Sequence, residues 1–228
     1  MSNHGMTEQN GCLVDKDENS YNTVIIGRQE WTIENLRVTH YNDGTPIAYV
    51  PDSRKWQGRP FPAYCYFNNT SNDYIIKVFG ALYNWFVVNP SNPKKIAPEG
   101  WRVPTNDDWR DLERYLVEKG HNWDRSKSGN KVAKSMATKL GWSLSKVHGE
   151  TGCESKSNNA SGFSGFPGGY RFYNGIFDFD GNSGYWWSST ESGGADAIGR
   201  TLFCNREELI VRNANKRSGL SIRLMRDI

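Results

Sequence analysis

The side chains of this 228-residue chain best suited to metal or nucleophilic chemistry are its four histidines and four cysteines. His4, His40, His121 and His148 are scattered and suggest neither a metal cluster nor a catalytic triad. Cys12, Cys65, Cys153 and Cys204 lie far apart and form no CxxC, so no zinc site is expected. An even count permits disulfides without demanding or pairing them. Asp107-Asp108 is an adjacent acid pair, but Asp108 sits three residues after Thr105, where helix capping explains both acids. Asp178 and Asp180 in "FDFDGNSG" resemble part of a calcium loop. The EF-hand pattern fails after Gly181, and a turn at Asn-Ser-Gly accounts for the residues. There is no GxSxG, phosphate loop or HExxH. Neither a cofactor nor an enzymatic activity is expected.

Composition narrows what elements can hold these residues. A formal net charge of +3 with dispersed Lys and Arg leaves no footprint for nucleic acid. No apolar run is long enough to span a bilayer, so membrane insertion is not expected, and the first residues carry no signal-peptide h-region. A hydrophobic fraction of 36% with 13% aromatics predicts a core built from rings. The 23 glycines predict many turns. Residues 1–20 read as a flexible polar arm and 21–228 as one domain. "YNTVIIGRQEWTIENLRV" predicts a hairpin about Gly27, residues 41–75 a loop-rich insertion, and Gly80 to Val88 a short buried helix. In "GWRVPTNDDWRDLERYLVEKG", Thr105 caps a helix whose Trp109, Leu112 and Leu116 share a face and which Gly120 closes. A weaker helix is expected over Lys131 to Leu140. From Asn158 onward, short β-type runs alternate with Gly, Asn and Ser. The plan is α+β, with antiparallel sheets and two or three flanking helices.

Six blocks carry a resemblance: "YNTVIIGRQEWTIENL", "GALYNW", "APEGWRVPTNDDWRDL", "GFSGFPGGYR", "GYWWSST" and "GLSIRLMRD". In order and spacing they are similar to the Fibrobacter succinogenes major paralogous domain, over roughly Tyr21 to Asp227. The resemblance implies a C-type lectin-like fold of the kind found in surface proteins of Bacteroidetes and in phages that infect them. Most such domains have no assigned activity. Relatives often carry a cysteine before the Pro-x-Gly-Trp block and another after the final Arg, where this chain has Ala97 and Leu224. Losing both partners together suits a version that folds without oxidation. "GWRVPTNDDW" also resembles a block of the formylglycine-generating enzymes, but their chemistry needs a closely placed cysteine pair near the C-terminus and Cys204 stands alone there. The Glu-Pro-Asn and Trp-Asn-Asp triplets of calcium-dependent lectins are absent.

The resemblance directs attention to the stretch after "GYWWSST". Trp186, Trp187, Arg200, Leu202, Lys216, Gly219, Ser221 and Arg223 hold to family type. Between them lies a chemically miscellaneous set, taken as the ligand-binding face: Glu191, Ser192, Asp196, Ile198, Gly199, Thr201, Phe203, Asn205, Arg206, Glu208 and Asn213, with Cys204, Ile210 and Ser218 among them. Thr201 and Phe203 are expected to point outward together while Leu202 points into the core. Similar domains are targets of diversity-generating retroelements, which rewrite such a stretch. Trp186 and Trp187 are expected to enter separate layers of the interior; the alternative is a sugar-stacking platform. The expected function is non-enzymatic binding of a cell-surface protein or glycan, from a bacterial surface or a phage fibre, with homo-oligomeric or fibre assembly open. The alternatives are a fixed adhesin or carbohydrate binder using Tyr170, Tyr173 and Phe177, and an assembly module docked by the arm.

Overall fold

The computed structural model describes residues 11–228, and the side chains of all of these except Phe179 and Asp180. Strands β1 (Cys12–Val14), β2 (Ser20–Ile26) and β3 (Gln29–Thr32) form an antiparallel meander, with β2 and β3 turning at Gly27-Arg28 as the alternation predicts. The expected arm is therefore shorter than 1–20. Cys12 pairs with Asn22, Leu13 is buried, and Asp15 accepts hydrogen bonds from the Tyr21 hydroxyl (2.5 Å) and the Asp17 and Asn19 amides. One buried carboxylate organising a turn outweighs the polar composition of that segment. The arm's first ten residues lie outside those described.

A second sheet joins β4 (Ala48–Tyr49), β5 (Ala63–Tyr66) and β6 (Ala81–Tyr83), interleaved with the helices α1 (Ser53–Trp56) and α2 (Asp73–Phe79). Residues 41–75 are thus more ordered than a loop. The run Gly80 to Val88 is not a helix: after β6 it passes through a 3-10 turn at Trp85–Val87. Its residues are apolar on every side, so periodicity cannot separate a buried helix from a buried strand. Asn84 decides for the strand. Its side chain accepts from the Ala63 amide (3.1 Å) and donates to the Phe61 carbonyl (2.8 Å), continuing the pairing with the neighbouring chain.

Helix α3 (Asn106–Glu118) begins in the expected capping box. Thr105 Oγ1 accepts from the Asp108 amide (3.1 Å) while the Asp108 carboxylate accepts from the Thr105 amide (2.8 Å). Trp109, Leu112 and Leu116 are fully buried against Trp31, Phe163, Trp186 and Leu202. Helix α4 (Ala133–Met136) is only one turn of the predicted Lys131–Leu140 helix. Ala137 and Thr138 leave it to bridge to Gly165, whose amide donates to the Met136 carbonyl.

The third sheet has the order β11-β10-β9-β7-β8, from β7 (Gly168–Arg171), β8 (Phe177–Asp180), β9 (Ser183–Gly193), β10 (Asp196–Phe203) and β11 (Ile210–Asn215). β12 (Met225–Asp227) then returns to the first sheet, Met225 opposite Trp31. The expected α+β plan holds, with one long helix and short helical turns. The sheets are mostly antiparallel, but β4 pairs with β5 and β7 with β9 in parallel.

Trp186 and Trp187 are both fully buried and lie in different layers. Trp186 faces α3 and donates to Asn35 Oδ1 (2.9 Å); Trp187 faces Tyr83, Leu220 and Ile222 and donates to the Tyr83 carbonyl (2.7 Å). Neither is available as a stacking platform. Gly184 makes room for this, because a Cβ there would lie 2.5 Å from both the Phe166 carbonyl oxygen and the Trp186 ring.

Candidate binding face

β10 is the spine of the candidate site, held between β9 and β11 by complete ladders broken only by irregularities near Ala197. Its side chains alternate. Arg200 and Leu202 point toward α3, where Arg200 Nη2 donates to Asn106 Oδ1 (2.8 Å), while Thr201 and Phe203 face the side occupied by Tyr185. The expected split between Leu202 and its two neighbours is therefore present, but two of the expected outward positions are not at the surface. Gly199 is buried, and a Cβ there would meet Leu220 at 3.2 Å. Thr201 is fully buried between Tyr185 and Ile210, its cross-strand partners. A central strand is shielded by its neighbours on both sides, and a single-strand alternation cannot register that.

The remaining expected residues fall into two groups at opposite ends of β10, whose rise separates them by about 23 Å. At the β9–β10 hairpin, Glu191 and Ser192 are exposed and Asp196 is half-buried. Ser192 Oγ donates to Asn213 Oδ1 (2.9 Å), and Ile198, half-buried, sits opposite exposed Asn213 in the register. Glu191 is paired with Lys216, which also donates to the Gly194 carbonyl and lies over the Trp85 ring. At the far end, half-buried Phe203 and exposed Asn205 and Arg206 border a hollow of about 350 Å³ shared with Asn182, Cys204 and Arg212. Glu208 is half-buried beside this loop. Cys204, half-buried, has its thiol pushed up by burial and the nearby Glu150 carboxylate.

From the Phe203 end of β10, a feature the sequence reading missed runs across the sheet. Rings from successive strands form a ladder: Phe172 to Tyr170 at 4.4 Å, Tyr170 to Tyr185 at 4.4 Å and Tyr185 to Phe203 at 5.9 Å. The Arg212 guanidinium on β11 caps it, 5.3 Å from the Phe203 ring centre. All four rings are half-buried and Arg212 is exposed. Burial raises the Tyr170 and Tyr185 phenols, so both are neutral hydroxyls near neutral pH. The signal was the aromatic pair Tyr170-x-Phe172 on one face, but its partners Tyr185 and Phe203 lie 13 to 33 residues downstream in sequence, visible only with the strand order. Phe177, grouped with Tyr170 and Tyr173 as a possible sugar contact, instead packs inward against Phe67 with the Arg171 guanidinium over its ring. Tyr173 is exposed.

The sequence model of the Fibrobacter succinogenes major domain matches residues 24–226. The chain belongs to this family. No curated protein and no solved structure matches it. The matched span of the Fibrobacter succinogenes major domain runs from β2 into β12 and so contains all of the candidate face.

A roomier concavity of about 630 Å³ contains none of the expected residues. It is an apolar cleft lined by Val87, Ile96, Trp101 and Val103. Of the rim cations, Lys95 is tied to the Pro90 and Asn92 carbonyls and Arg102 to Asp108 and Asp227. All four cysteines are unpaired thiols, with Cys65 buried. Of the histidines, His40 bonds Asp17 through Nδ1 (2.7 Å), and Thr39 Oγ1 contacts the same nitrogen and the same carboxylate. That closes a loop onto the first sheet. No helix among the described residues is long and apolar enough to cross a membrane.

Proposed function

We propose that this domain is a non-enzymatic ligand-binding module of C-type lectin-like fold. It recognises a cell-surface protein or glycan from a bacterial surface or a phage fibre. The observation that carries the reading is the ring ladder Phe172, Tyr170, Tyr185 and Phe203, ending in Arg212 beside the Arg206 hollow. Contiguous half-buried rings, tilted or edge-on to one another, offer apolar contact at little conformational cost, neutral phenols add adaptable hydrogen bonds, and the arginines favour a ligand bearing carboxylates. The ladder stands on a sheet whose opposite face is locked by Trp186, Leu202 and α3, which makes it rigid enough to preorganise contacts.

The retroelement reading belongs to the same proposal in a narrower form. Exposed Glu191, Ser192, Asn205, Arg206 and Asn213 are free to vary, whereas Gly199 and Thr201 are excluded by burial. Sequencing the locus across a natural population separates these classes. Substitutions concentrated at the exposed five with Gly199 and Thr201 constant support diversification; an invariant stretch leaves a fixed binder. Binding itself is tested with the labelled domain on glycan arrays and on bacterial cells. The double variant Arg206→Ala, Arg212→Ala is expected to lose at least tenfold in affinity, with a stability change within about 0.5 kcal/mol per site because both side chains are exposed. Equal binding by the double variant and the wild type would sink the assignment of this face.

A further inference from the structure

We infer that His148, Cys153 and Glu154 form a binding site for one divalent transition-metal ion of the zinc type. The imidazole, thiol and carboxylate each offer one ligand atom, and these atoms lie within 4.8 Å of one another. Tetrahedral zinc with nitrogen, sulfur and oxygen donors at its usual bond lengths holds them about 3.5 Å apart. His148 and Glu154 are exposed and Cys153 half-buried, so the closing movement of about an ångström is one of side-chain rotation. With a neutral imidazole, a thiolate and a carboxylate, the ligand set carries two negative charges and neutralises the ion. Binding releases the Cys153 thiol proton to solvent. Three protein donors leave a fourth position to water, and the mixed nitrogen, sulfur and oxygen set favours zinc, cobalt or nickel over calcium or magnesium.

The backbone that carries the three donors is pinned independently of any ion. Lys134 donates its ammonium to the Cys153 carbonyl, and the Cys153 amide donates to the Glu150 carbonyl (3.0 Å). The His148 ring stands edge-on to Trp123 at 4.9 Å, and the Trp123 indole is in turn fixed by Glu207. The neighbouring carboxylate of Glu150 is occupied by the Ser145 hydroxyl. Four charged groups near the site, Lys131, Lys134, Glu150 and Glu207, each have a partner of their own. The same loop is attached to the binding face. Gly152 donates to the Cys204 carbonyl (2.7 Å) and Thr151 to the Arg206 carbonyl (3.1 Å), so an ion here tightens the segment that carries Asn205 and Arg206.

The test is titration of the full chain with Co²⁺, followed by absorption, and with Zn²⁺, followed by calorimetry. One Co²⁺ per chain with a thiolate-to-cobalt charge-transfer band is expected, together with a Zn²⁺-dependent rise in melting temperature. Cys153→Ser abolishes the band, and His148→Ala weakens Zn²⁺ binding by roughly tenfold or more, since even an outer partner of a ligand is worth that much. Cys204→Ser and Cys12→Ser leave both readouts intact. The proposal is overturned by the absence of a thiolate band in the wild type, by a band that survives Cys153→Ser, or by one lost in Cys12→Ser or Cys204→Ser. Because His148 is exposed, its variant remains informative should Cys153→Ser fold poorly.

Discussion

Thr201 shows how a residue's environment can reverse its expected role. The hydroxyl of this fully buried side chain has no hydrogen-bond partner among the described residues. An unmade buried hydrogen bond costs about 1–3 kcal/mol, while valine keeps the shape without the polar atom. Thr201→Val is therefore expected to be neutral or to stabilise by up to about 1 kcal/mol in urea denaturation, with binding unchanged. A loss of more than about 1 kcal/mol would show that the hydroxyl is satisfied after all. Arg223 is the opposite case. Its guanidinium is buried without a carboxylate partner yet engaged through all three nitrogens, donating to Asn35 Oδ1 (2.7 Å) and to the carbonyls of Thr32, Phe163 and Ser164. It lies against the Phe163 ring at 4.9 Å. That such an arginine belongs to the framework was legible from the sequence through the family resemblance. That Thr201 and Gly199 do as well was not, because a one-strand alternation does not report what lies over the strand.

At the scale of elements, legibility followed how local each signal is. The α3 start was readable because Thr105 and Asp108 are three residues apart and satisfy each other. The hairpin of β2 and β3 was readable because its register is set by its own turn. β6 was not, because Asn84 selects it through contacts with Phe61 and Ala63, about twenty residues away. The ring ladder was hidden for the same reason, its members lying on β7, β9 and β10 and, for Phe172, just past the end of β7. The parallel contact between β7 and β9 brings them together at one residue pair, Gly169 and Gly184. Gly184→Ala should therefore do more than a surface glycine change. A Cβ at 2.5 Å from the Phe166 carbonyl and the Trp186 ring forces β7 and β9 apart. A loss on the order of 2–3 kcal/mol is expected from overpacking. A stability within 0.5 kcal/mol of wild type, the usual range at a tolerant surface site, would mean the two strands can separate freely.

The first sheet gathers β1, β2 and β3 with β12, and two carboxylates fasten the segments around it. Asp17 accepts from the Thr39 amide and hydroxyl and from His40, fastening the turn after β1. Asp108 accepts from Thr105 at the α3 cap and from Arg102, which also binds Asp227 in β12. Burial acts to raise both carboxyl pKa values. It is outweighed at Asp17 by the Thr39 and His40 bonds, and at Asp108 by Arg102 and Thr105, leaving both below the usual range. A carboxyl depressed in the folded state means that the unfolded chain binds more protons over that window, so stability rises with pH there. Each contribution is complete above the unfolded value near 4 and is lost as pH falls through the depressed folded value. Glu113 pulls the other way: burial raises its pKa, so its contribution is full below the unfolded value and declines as pH rises. Comparing wild type with Asp108→Asn cancels that opposing term. Burial also lowers the His121 pKa, which takes some stability away as pH falls below about 6.5. The calorimetric melting curve of the wild type is therefore expected to slope only gently from pH 7 to about 4.5 and to fall steeply below it. Asp108→Asn should melt lower at pH 7 and approach the wild type as pH drops toward 2–3, because protonation removes from the wild type what the substitution has already removed. Parallel curves over that range would mean that Asp108 contributes no charge-dependent stability, and that α3 and β12 are held together by packing around Trp31 and Trp109 alone.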